Sequence, residues 1–149
     1  MFEAMLRRLA APAPDPLTEM DARLALAALL VGVARADDDY AGVEIARIEA
    51  VLAHRYGLSA PEATALRRQA EILESEAADL VRFTRALKEA VPLGEREALL
   101  QAMWSVALAD SQRHDAEDSQ MRLIARLLGL NDRASAEARQ RASRAADGE

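Results

Sequence analysis

An all-α fold, a compact bundle of about six to seven helices, is the architecture that three features of the sequence support. Thirty-four of the 149 residues are alanine, the strongest helix former, while aromatic residues make up only 3%, a bias toward thin helices packed closely. Apolar residues recur at helical spacing in successive blocks, and Pro, Gly or Asp clusters separate the blocks. The third feature is a pattern that occurs twice, so the bundle is expected to contain an internal pseudo-twofold repeat of helical hairpins.

Taken in order, MFEAMLRRLA sets Phe2, Met5, Leu6 and Leu9 on one helical face. It is too short and too charged for the apolar core of a signal peptide, and Pro12, Pro14 and Pro16 break it from the rest of the chain. Residues 1–16 are thus expected to form an amphipathic segment and linker, with the folded domain at 17–131. Thr18 is an N-cap for a first helix carrying Leu26, Leu29, Leu30 and Val33, running to about Ala36. After Asp37, Asp38 and Asp39, Gly42 precedes a second helix with Ile45, Ile48, Val51 and Leu52, ended by Gly57 as a C′ residue.

Ser59-Ala-Pro-Glu62 has the form of a capping box and opens a third helix from about Ala60 to Ser75. Asp79 caps a fourth, whose stripe is Leu80, Phe83 and Leu87; Pro92 and Gly94 make the turn after it. The fifth carries Leu99, Leu100, Met103 and Trp104 to Ala109, with Trp104 and Phe83 read as core. Beyond the polar stretch Asp110 to Asp115, a sixth bears Met121, Ile124, Leu127 and Leu128 and ends at Gly129. Residues 132–149 offer only alanines as apolar residues, so a seventh helix capped by Asn131 or Asp132 is expected to fray or remain a tail.

A net charge of −6, from 19 basic and 25 acidic residues, has the wrong sign for a protein that neutralises phosphates, so nucleic acid is not an expected partner. The arginines near Arg67-Arg68 and from Arg139 to Arg144 are balanced by glutamates or placed on solvated faces. No apolar run reaches the roughly 20 residues of a membrane span. A cytoplasmic location is expected, with at most peripheral membrane contact through the N-terminal segment. The absence of cysteine removes disulfides, thiolate metal sites and a cysteine nucleophile. No Walker, Rossmann or nucleophile-elbow pattern occurs, so no enzyme activity is expected.

A shift of 73 positions lays Ala34-Arg-Ala-Asp37 over Ala107-Leu-Ala-Asp110 and Glu44 over Glu117. It also pairs Val33 with Val106, Ile48 with Met121 and Val51 with Ile124; after one deletion, Gly57-Leu58 falls on Gly129-Leu130. Each unit is an apolar helix ending in Ala-Asp, a polar loop, and a Glu opening the next helix. Two copies joined by the third and fourth helices form a bundle rather than a solenoid.

On these residues the chain resembles the TerB family of tellurite-resistance proteins, which includes the N-terminal domain of the co-chaperone DjlA. The resemblance covers roughly residues 22 to 131. The family usually has Gly after each repeat's Asp; this chain has Asp38 and Ser111. The resemblance implies a compact helical domain, acidic clusters proposed to bind metal ions, and a role in stress responses rather than catalysis.

An Asp at a helix C-terminus faces the negative end of the macrodipole, and here the misfit is duplicated. A cation bridging Asp37 and Glu44 would also take Asp39; in the second copy Asp110 and Glu117 would be joined by Asp115 or Asp118. Oxygen-only ligands favour Ca²⁺ or Mg²⁺, with modest affinity. The segment is no EF-hand, whose loop is longer and needs a central glycine; here Asp to Glu spans eight positions. The other reading is capping alone, because Glu44 and Glu117 sit in first turns where free N–H groups favour a carboxylate. His114 is read as a solvent-exposed loop residue and His54 as a surface or partly buried one. A protein partner is expected, either through the acidic loops or through a metal-free adaptor surface of co-chaperone type.

Overall fold

The computed structural model describes residues 19–36, 40, 42–76, 79–109 and 115–147. Seven helices run through them: α1 (Glu19–Arg35), α2 (Gly42–Tyr56), α3 (Ala60–Glu76), α4 (Leu80–Ala90), α5 (Leu93–Ala107), α6 (Asp115–Leu127) and α7 (Asp132–Asp147). No strand occurs among the described residues. The segment 1–16 and the Thr18 cap lie outside them.

α1 is the central helix. Every residue from Ala25 to Val31 is at most 4% exposed, so it is apolar all round and touches α2, α3, α4, α5 and α6. α5 is the second axis of the core, burying Leu99, Leu100, Met103, Trp104, Val106 and Ala107. α4 adds Phe83, Ala86 and Leu87. Each fully buried Leu contributes about 2 kcal/mol.

Helix boundaries follow local chemistry. The Asp79 side chain accepts from the Arg82 N–H at 3.1 Å and caps α4. At α3 the capping box is complete: Ser59 Oγ accepts from the Glu62 N–H at 3.3 Å and Glu62 Oε1 accepts from the Ser59 N–H at 2.8 Å. The Ser59 N–H first, then the Ser59 hydroxyl, hold the Glu62 carboxyl below its ordinary range. The turn expected at Pro92-Gly94 is tighter than that: α4 ends at Ala90, and Gly94 already lies inside α5. Arg96 locks this corner by donating to the carbonyls of Val91 at 3.0 Å, Leu128 at 3.1 Å and Lys88 at 3.1 Å, a cation placed on the negative ends of α4 and α6.

The repeat extends over three helices, not two. The shift of 73 carries the start of α2 at Gly42 onto that of α6 at Asp115; after the deletion, a shift of 72 carries Ala60, opening α3, onto Asp132, opening α7. Both halves end their second helix identically. Gly57 (φ 63°) and Gly129 (φ 81°) are left-handed C′ residues, and the N–H groups of Leu58 and Leu130 return to Ala53 and Ala125 at 3.0 and 2.8 Å, the Schellman arrangement. Ser59 and Asn131 then cap the third helices, the Asn131 side-chain oxygen accepting from the Ala134 N–H at 2.8 Å.

The expectation that the chain frays after Leu130 is wrong. α7 packs along α5 and buries Ser135, Ala138 and Ala142 at 4%, 0% and 3% exposure. Alanine suffices because α7 docks by close approach: a small face against Trp104 needs no large side chains of its own.

Candidate functional site

Of the six acids expected to hold a cation, Asp37, Asp39 and Asp110 lie outside the described residues. Asp115 and Glu117 are the first and third residues of α6, and their side chains are likewise outside the described part. Glu44, the third residue of α2, is 2% exposed. A carboxylate buried to that degree is not a solvated surface charge. No group of three or more His, Asp or Glu side chains with metal-binding geometry occurs among the described residues. His54 is exposed, as expected, and His114 lies outside the described residues.

The residues flanking the first acidic segment are pinned to α3. The Arg35 guanidinium, at the end of α1, lies 5.2 Å from the Tyr40 ring centroid. It also meets Glu74 Oε1 at 3.4 Å and donates to Ser75 Oγ at 2.9 Å. Below Tyr40, Arg67 is 9% exposed and sits between Glu49 at 2.7 Å and Glu71, one turn along α3, at 2.9 Å. Burial alone would lower the Arg67 pKa, but the hydrogen bond to Glu49 and the charge of Glu71 outweigh it and hold the group above its ordinary value. The Tyr40 hydroxyl is buried beside this pair without a partner in hydrogen-bonding geometry. Burial first, then the Glu71 carboxylate, pushes its pKa up to about 12.

This network was not legible as a site. The doublet Arg67-Arg68 reads as balanced by glutamates or solvated; the first holds for Arg67 and the second for exposed Arg68, but the burial of Arg67 was not foreseen. The available signal was the setting of Arg67 between Ala63 and Ala70, which share its buried stripe.

Residues 23–140 match the family described as tellurite resistance protein TerB. The chain belongs to the TerB family. The match covers both halves of the repeat and runs into α7, beyond the limit near residue 131 that the sequence resemblance suggested. No curated protein and no solved structure gives a match to the chain. Within this TerB chain, Glu44 and Glu117 stand at equivalent points, each third in the second helix of its half.

Proposed function

We propose that the chain is a non-enzymatic TerB module of a stress response that binds a divalent cation through its two acidic segments and presents the loaded segments to a protein partner. The observation that carries this reading is buried Glu44, third in α2, with Glu117 third in α6 at the shift that relates the two halves. A carboxylate is kept inside a fold where charge or donors meet it, and a cation held by the first acidic segment would add to those that meet Glu44.

The donor set fits a hard ion. Asp37, Asp39 and Glu44 in one half, and Asp110, Asp115 and Glu117 in the other, offer oxygen alone, which favours Ca²⁺ or Mg²⁺ over thiophilic or imidazole-seeking metals. The network of Arg35, Tyr40, Arg67 and Glu71 supports the reading by holding Arg35, just before the first segment, and Tyr40, within it, against α3. Calorimetric titration of the purified protein with Ca²⁺, Mg²⁺, Mn²⁺ and Zn²⁺ tests it. Saturable heat with Ca²⁺ or Mg²⁺ is expected; its absence at millimolar concentration leaves the acids as helix caps and the chain as a metal-free adaptor.

A further inference from the structure

The two halves differ in charge around an arginine that both of them keep. In the first, Arg67 is held between the carboxylates of Glu49 and Glu71. The shift of 72 that relates α3 to α7 carries Arg67 to Arg139 and Glu71 to Ser143, and the shift of 73 that relates α2 to α6 carries Glu49 to Arg122. The packing beneath follows the same correspondence: Ala63 and Ser135 are buried at 1% and 4%, and Val31 and Trp104 at 0% and 4%. The arginine is thus kept while one of its carboxylates has become a hydroxyl and the other a second guanidinium.

A cleft of about 410 Å³ lies at this place, lined by Trp104, Arg122, Asp132, Ser135, Arg139 and Ser143 among others. The Arg139 guanidinium stands 5.3 Å from the centroid of the Trp104 ring, whose Nε1–H donates to Ser135 Oγ at 3.4 Å. Neither Arg122 nor Arg139 has an ion-pair partner among the described residues. Arg139 is exposed where Arg67 is buried. Even with Asp132 at its edge, the cleft carries one net positive charge in a chain of net charge −6.

We infer that this cleft binds a carboxylate, which supplies from outside the charge that Glu49 and Glu71 supply from within in the other half. A carboxylate accepts paired N–H bonds from a guanidinium, and the Ser135 and Ser143 hydroxyls line the same cleft. The carboxylate belongs either to a free small acid or to a Glu or Asp side chain of a protein partner.

Trp104 is the single tryptophan and reports directly on the site. In metal-free buffer at constant ionic strength, the full chain is titrated with succinate and with a blocked peptide bearing two glutamates one helical turn apart. A saturable change in Trp104 emission, with Kd of about 1 mM or tighter, is expected from at least one of them. Succinate alone sufficing points to a free acid; a response to the peptide only assigns the carboxylate to a partner's side chain. Arg139→Gln should weaken binding at least tenfold. The double variant Arg122→Glu/Ser143→Glu rebuilds the arrangement of the first half and should abolish binding without lowering the melting temperature. A response no different from that to chloride, tighter binding of inorganic phosphate, binding retained by the double variant, or failure of that variant to fold would each overturn the inference.

Discussion

Gly57 and Gly129 occupy the same step of their halves and share a left-handed backbone, yet substitution at the two should differ in cost. At Gly57 an added Cβ meets nothing within 4 Å, so Gly57→Ala should cost only the conformational term, about 1 kcal/mol. At Gly129 the Cβ comes within 3.4 Å of Arg96 Nη1, the atom that donates to the Leu128 carbonyl. Gly129→Ala should therefore also weaken a charged hydrogen bond, for a total of about 2–3 kcal/mol. Urea unfolding of the two variants side by side measures the difference. Tyr40 makes a prediction in pH. Its folded pKa, pushed up to about 12, lies above the ordinary phenol value of 10.0, so its contribution is intact below pH 10 and is lost as pH rises toward 12. Tyr40→Phe should remove that part of the alkaline loss. Thermal melts between pH 8 and pH 12 check both points.

At the scale of the helix, Ala138 tests how α7 is held. It is fully buried on the face turned to α5, so Ala138→Leu should overpack the contact and cost about 1–3 kcal/mol. The same exchange at exposed Ala136 should be close to neutral; chemical denaturation followed by Trp104 fluorescence compares them. This helix also marks the limit of what periodicity reveals. α2, α3, α4 and α6 were legible because bulky residues such as Ile48, Leu87 and Ile124 alternate with charges and because Ser59, Asp79 and Gly129 punctuate them. α7 was misjudged because its buried face is Ser135, Ala138 and Ala142, and a pattern of small residues is silent about whether a partner approaches closely. For Arg67 the balancing glutamates were legible as one of two alternatives, but its burial was not, because only the fold brings Glu49 of another helix beside it together with Glu71. Glu44 drew notice by its duplication, but its burial was not legible.

For the whole molecule, the three-helix repeat organises the distribution of charge. The first half neutralises its buried arginine internally, whereas the second leaves two guanidiniums facing a cleft. The surplus acid that gives the net charge of −6 includes the two equivalent segments at residues 37–44 and 110–117. No helix among the described residues is long and apolar enough to cross a membrane. Whether each acidic segment holds one cation is measured most directly by amide NMR spectra recorded during Ca²⁺ and Mg²⁺ titration, on the native chain and on Glu44→Gln and Glu117→Gln. Two equivalents should bind per chain, with shifts centred on residues 37–44 and 110–117, and each variant should lose one equivalent while its other segment still responds. Spectra that do not change at millimolar ion, or a response that is identical in the native chain and both variants, would contradict the proposed cation binding.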